Sequence, residues 1–173
     1  IVMGAMLLLA GSVYAARGEW AIRHDTLDLF DAARKRPVAV DITVRRDVEI
    51  RAAAGLLTMP VAVISHGYTI KASEYSFLAD LLARRGYLVA SIQHDLPGDA
   101  PLSQSGPLYV GRMPMYERGL ANILFVIGEL KKRAPHAAYG ELTLLGHSNG
   151  GDISMVFAGR YPGMVAKVVT LDN

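Results

Sequence analysis

The sequence predicts an α/β fold: a mostly parallel sheet with helices on both faces, preceded by antiparallel N-terminal strands. Three observations carry that expectation. Apolar runs at residues 61–65 and 87–92 have the length and composition of buried strands, and residues 142–145 and 165–171 read as further strands. Helical stripes separate several of them, and such alternation gives parallel strands joined by right-handed crossovers. Upstream, Val38, Val40, Ile42 and Val44 recur with period two, the signature of a half-buried strand.

Taken from its start, the chain opens with an uncharged apolar run, residues 1–13, which passes into the small-residue stretch 12–16. Val13 and Ala15 suit the −3 and −1 positions of a signal-peptide cleavage site, and Arg17, Glu19 and Arg23 begin a mature type of sequence. The expectation is a signal-peptide-like segment over 1–16, a secreted or periplasmic product, and one domain over 17–173. The alternative is membrane anchoring by residues 1–13 with transient membrane contact, although that run is short of the roughly 20 residues of a span. The lack of an initial Met and of a basic leader fits a reading frame that starts further upstream.

Residues 20–48 hold strand-like pieces at 21–23, 26–30 and 38–44, and the basic, polar segment 31–37 between the last two reads as the loop of an antiparallel pair. Residues 45–59 mix charge with alanine and read as a connecting loop or short helix. After the buried strand at 61–65, Tyr75, Leu78, Leu81 and Leu82 fall at helical spacing, with Ser73 as N-cap and Gly86 as terminator. Residues 96–114, rich in Pro and Gly, read as a long loop. From 115 to 133 a stripe of Leu120, Ile123, Leu124, Ile127 and Leu130 marks a core-facing helix, and Lys131, Lys132 and Arg133 suit its C-terminal dipole. Tyr161-Pro162-Gly163 breaks the chain before the last strand.

Composition bounds the function. The 173 residues are 51% hydrophobic and 20% charged, enough for one domain with a sizeable core. A net charge of +2 and short basic runs without interleaved aromatics argue against a nucleic-acid partner. The absence of cysteine excludes a thiol nucleophile, a thiolate metal site and disulfides.

The chemistry centres on Gly146-His147-Ser148-Asn149-Gly150, set between a strand at 142–145 and a helix-compatible segment at 152–158. A serine at so sharp a turn sits on a strained backbone with Oγ lifted from the sheet, and a Cβ at Gly146 or Gly150 would clash across the turn. A serine hydroxyl attacks a carbonyl only when a base takes its proton and donors await the oxyanion. The N–H of Asn149 is one expected donor. The loop His66-Gly67-Tyr68, after the first buried strand, supplies the second through the Tyr68 N–H. Asp172, ending the next strand after Ser148, is the candidate acid, ahead of Asp152, Asp95 and Asp99. His66, Gly67 and His94 end neighbouring strands and are expected to shape a pocket, while His147 is expected to point away from Ser148 Oγ.

Ser65-His66-Gly67, Ile92-Gln93-His94-Asp95, Gly146-His147-Ser148-Asn149-Gly150-Gly151 and Leu171-Asp172, in this order, resemble the α/β-hydrolase superfamily, and within it the platelet-activating-factor acetylhydrolase-like branch with related secreted bacterial esterases. The resemblance runs from about residue 20 to the end. It implies a metal-free, cofactor-free serine ester hydrolase acting on a small-molecule or lipid ester, with Ser148 as nucleophile, Tyr68 and Asn149 as oxyanion donors, and an acid after the next strand. Triad order in this fold is Ser, acid, His. None of His24, His66, His94, His136 and His147 follows Asp172, so the base and the last strands are expected beyond Asn173. A serine acyltransferase and a non-catalytic binding protein of the same fold share every residue named.

Overall fold

A computed structural model describes residues 21–173. The signal-like segment at 1–16 lies outside the described residues. Six strands form one sheet in the order β1-β2-β4-β3-β5-β6. β1 (Ile22–Asp31) and β2 (Arg36–Arg45) make an antiparallel hairpin, and β2 joins β4 (Leu88–Ile92) antiparallel. β3 (Met59–Ser65), β4, β5 (Ala137–His147) and β6 (Val165–Leu171) run parallel. The expected mostly parallel sheet with antiparallel N-terminal strands is therefore present.

The period-two pattern of β2 does what it predicts, since Val38, Val40, Ile42 and Val44 are all buried. The pieces expected at 21–23 and 26–30 are one continuous strand, because cross-strand bonds to the whole of β2 carry β1 through its polar residues. The parallel strands alternate between two cores. Val61, Val63, Leu142 and Leu144 face one side with Ile92, where α3 (Leu108–Arg133), α4 (Asn149–Arg160) and Val48 and Ala52 of α1 (Arg46–Ala53) cover them. Ala62, Ile64, Val89 and Leu145 face the other, under α2 (Ser76–Arg84). Helices thus cover both faces, as a parallel sheet requires.

Three details differ from the sequence reading. Ser73 does not cap α2: it lies inside a 3-10 turn, Ala72–Tyr75, and makes no side-chain cap bond. Leu81 is exposed, because the buried face of α2 is the small pair Ala79 and Ala83, which lets the helix approach the sheet closely. Pro114 is inside α3, so the loop ends at Pro107 and not at Pro114. A proline there removes the bond to the carbonyl of Val110, and Val110 is exposed, so that water has access to the freed acceptor.

Where α3 crosses α4, Gly119 has no room for a side chain. A Cβ there would stand 2.8 Å from Cδ1 and Cγ2 of Ile153 and 2.9 Å from its Cγ1. Gly119→Ala is expected to destabilise by about 1–3 kcal/mol, overpacking outweighing the helix-propensity gain of about 1 kcal/mol. Ile153→Ala is expected to cost about 2–5 kcal/mol alone. The double variant should lose less than the two single losses together, which urea denaturation of all four proteins measures.

Candidate active site

β5 ends at His147, and α4 begins at Asn149, so Ser148 alone makes the turn between them. Its backbone stands at φ 48°, ψ −123°, a conformation that an L-residue adopts only when its surroundings force it. Those surroundings are visible. A Cβ on Gly146 would lie 2.1 Å from the Gly150 carbonyl oxygen, and one on Gly150 would lie 2.1 Å from the Ser65 carbonyl oxygen. The turn is therefore pressed directly onto itself and onto the end of β3. The Ser148 N–H donates to the Leu171 carbonyl at 2.8 Å, fastening the turn to β6 as well.

The candidate donors lie at the same sheet edge. Asn149 is the first residue of α4, and the N–H groups of a first helical turn have no carbonyl within the helix to bond. The Gly67 carbonyl accepts from Ile70 N–H at 3.1 Å, enclosing Tyr68 and Thr69 in a turn with Thr69 at φ 66°, the pattern of a type II turn. Among the described residues, Tyr68 N–H donates to no protein group. Asp172 follows β6 at φ 53° and is largely solvent-exposed, with Oδ2 3.9 Å from Nε2 of His147. Among the described residues, the non-glycine residues with positive φ are Lys35 in the β1–β2 turn, Thr69, Ser148 and Asp172, and the last three follow the C-terminal ends of β3, β5 and β6.

Residues 59–171 match the family described as serine aminopeptidase S33. The chain belongs to that family, whose fold is the α/β-hydrolase fold. The serine hydrolase-like protein of Mus musculus is 28% identical over 114 residues, 66% of this chain and 32% of the mouse protein. A Rhizomucor miehei esterase superposes with a TM-score of 0.63 at 17% identity, over 89% of this chain and 45% of its own. S-formylglutathione hydrolase from Staphylococcus aureus gives 0.61 at 11%, over 86% and 57%, and a Vigna radiata epoxide hydrolase 0.57 at 17%, over 88% and 39%. At these identities the solved structures share the fold. The chain spans about a third of the mouse relative and 39% to 57% of these three structures.

In this α/β-hydrolase chain the two strand-end histidines do not line a pocket. His66 and His94 are each 1% exposed and sit beneath the loops. Nδ1 of His66 donates to the Gly67 carbonyl at 2.8 Å, and its Nε2 accepts the His94 N–H at 2.8 Å, which assigns one neutral tautomer. Nε2 of His94 bonds Ser65 Oγ at 3.0 Å. Burial pulls both imidazoles below their ordinary range, His94 well below it, where any charge on His66 and the guanidiniums of Arg118 and Arg36 add to the effect. They support the site's loops from below because ring nitrogens placed here must be paired, those of His66 by backbone groups and those of His94 by the side chains of Ser65 and Asn122.

The remaining candidates separate by their partners. Asp95 pairs with Arg118 at 2.8 Å, and Asp99 takes two bonds from Arg36, 2.8 and 2.6 Å, which hold its carboxyl down to about 2. Asp152 accepts from Tyr116 at 2.8 Å. All three act as structural partners. His24 is on the surface beside Asp80, and His136 precedes β5 at the far end from Ser148. Nδ1 of His147 bonds Tyr75 at 2.7 Å. Among the described residues, Ser148 Oγ hydrogen-bonds to no protein group, and no imidazole is paired with it. Tyr75 is a residue the sequence did not mark for the site: it reads there as an apolar helix position, and nothing in the pattern shows where its hydroxyl goes.

Two buried neutral histidines make stability pH-dependent. The unfolded chain binds protons at about 6.5 while the folded chain resists them, so stability is full above that pH and falls as pH drops below it. Each histidine contributes a slope of at most about 1.4 kcal/mol per pH unit in that window. Denaturant titrations at pH 7.5 and 5.5 should show the loss, and His94→Gln should reduce the slope between the two.

Proposed function

We propose that this protein is a serine hydrolase of carboxylic esters, acting on short-chain acyl or phospholipid-type acetyl esters through an acyl-enzyme on Ser148. The observation that carries the reading is the Ser148 backbone at φ 48°, ψ −123° between a buried parallel strand and a helix N-terminus. That strain has no use in holding the sheet together, and it lifts one hydroxyl above the edge where donors gather.

In this reading Ser148 Oγ attacks the ester carbonyl carbon, its proton passes to a histidine, and the carbonyl electrons move onto oxygen. The N–H groups of Asn149 and Tyr68, with the partial positive charge of the α4 N-terminus, stabilise that oxyanion. Its collapse expels the alcohol, which takes the proton from the imidazole, and water then releases the acid from the serine by the same steps reversed. The proposed acid is Asp172, and the proposed base is a histidine carried beyond Asn173, in the Ser–acid–His order of the fold. A cleft of about 460 Å³ lies beside the 66–70 loop, lined by Tyr68, Thr69, Ile70, Leu96 and Pro97 among others, and suits an apolar substituent of the ester. Export, with residues 1–16 as the signal, belongs to the same proposal.

The test uses the full-length protein. A fluorophosphonate probe followed by peptide mass spectrometry should place one adduct on Ser148, and Ser148→Ala should abolish labelling and p-nitrophenyl acetate hydrolysis. Labelling at another residue, or none on folded protein, rejects the assignment. Asp172→Asn should lower kcat strongly, up to about 10⁴-fold where the acid fixes the imidazole tautomer, with little change in thermal stability. An unchanged kcat would move the acid elsewhere. Product analysis with an added alcohol separates hydrolysis from acyl transfer.

A further inference from the structure

Gly67 is tied on both sides. Its carbonyl takes Nδ1–H of His66, and its N–H donates to the Tyr75 hydroxyl at 3.1 Å. Tyr75 is 8% exposed, and its hydroxyl also meets Nδ1 of His147 at 2.7 Å, with the two rings 5.9 Å apart and tilted by 45°. The protons follow from the partners. The Tyr75 oxygen already accepts from Gly67 N–H, and its own proton, in this buried place, needs an acceptor, which Nδ1 of His147 supplies at 2.7 Å. His147 therefore carries its proton on Nε2, and its Nδ1 accepts from Tyr75 O–H.

The fit admits nothing larger. A Cβ on Gly67 would stand 2.7 Å from Nδ1 of His147 and 3.4 Å from the Tyr75 hydroxyl. The segment carrying Tyr75 is itself anchored, since Ala72 N–H donates to Oε1 of Gln93 at 3.0 Å. One phenol thus bridges the loop that bears Tyr68 N–H and the turn that bears Ser148 and Asn149.

We infer that Tyr75 is a positioning residue: its hydroxyl, held between Gly67 N–H and His147 Nδ1, fixes the distance between the two N–H donors of the site. The inference rests on the ester-hydrolase reading for its consequence in catalysis, and on the hydrogen bonds alone for the bridge. Without that hydroxyl the Gly67 N–H is buried unpaired and the loop must move to satisfy it. Loss of a whole oxyanion donor costs roughly 10²–10³ in kcat, and a displaced donor costs less.

In the full-length protein, Tyr75→Phe is expected to lower kcat for p-nitrophenyl acetate about 10- to 100-fold while KM changes less than about twofold, the split of an interaction that acts in the transition state. Two readouts need no activity. The Gly67 amide should exchange slowly with deuterium in the wild type and about tenfold faster or more in Tyr75→Phe. The ¹⁵N shifts of His147 should report an unprotonated, hydrogen-bonded Nδ1 that loses its bond in the variant. Unchanged kcat, amide exchange and ¹⁵N shifts would overturn the inference, as would a fast-exchanging Gly67 amide in the wild type. A wild type without esterase activity but with the protected amide and bonded Nδ1 rejects the ester-hydrolase reading and supports the bridge. Should Tyr75→Phe not fold, the two wild-type measurements decide the question.

Discussion

Everything at the functional edge of this molecule depends on holding Ser148 in a backbone conformation that costs of order 1–3 kcal/mol. A short turn cannot hold itself there. The restraint comes from three directions: the Gly150 backbone packed against Gly146, the Ser65 carbonyl packed against Gly150, and the Leu171 carbonyl bonded to the Ser148 N–H. Two of these involve the neighbouring strands β3 and β6, so the strain is distributed over the sheet. The apolar burial of β3 and β5 on both faces keeps those strands in register, and the register keeps the turn closed. Packing energy far from the serine is in this sense what makes the serine prominent.

Beneath the site lies a layer of buried polar groups, most of them paired, although Nε of Arg36, Oδ2 of Asp95 and Nε of Arg118 make no hydrogen bond. His66 and His94 are neutral and bonded to backbone and to Ser65; Arg36 joins the His94 carbonyl to Asp99; Gln93 reaches Ala72 N–H and the Asp95 carbonyl. Loops that leave the ends of parallel strands expose backbone groups at the moment they turn, and those groups need partners. Here side chains from the strand ends provide them. The arrangement places fixed dipoles, not mobile charge, under the loop that carries Tyr68, and a preorganised polar floor of this kind does not need to rearrange when charge develops above it.

The parts of this design that were legible in the sequence are those governed by local sterics and period. Gly146 and Gly150 announce the turn because only glycine avoids backbone contact there, and Val38 to Val44 announce a strand because alternation has one geometric meaning. The parts that were hidden depend on partners distant along the chain. His66 and His94 read as pocket residues because nothing local reveals that a strand-end imidazole will meet a main-chain N–H 28 positions away. Pro114 reads as a loop residue because a proline in a helix is tolerated only when the orphaned carbonyl finds water, which is a property of the surface. Leu81 reads as core because periodicity locates a stripe but not its centre, and on α2 the centre falls on Ala79 and Ala83.

The same distinction orders the candidate catalytic groups by rigidity. Ser148 and Asn149 stand on packed backbone, with Asn149 3% exposed. The Tyr68 turn is held by Gly67, itself bonded on both its N–H and its carbonyl. Asp172 is different: its side chain is 91% exposed, and its described neighbour is Nε2 of His147 at 3.9 Å, too long for a hydrogen bond. A solvated carboxylate keeps its rotamer freedom, and an acid that is to orient an imidazole must lose it. A partner arriving at that edge would therefore order Asp172 last. Nε2 of His147 faces Asp172 while its Nδ1 bonds Tyr75, which in turn holds Gly67, so the candidate acid and the loop that carries Tyr68 meet the same imidazole at its two nitrogens.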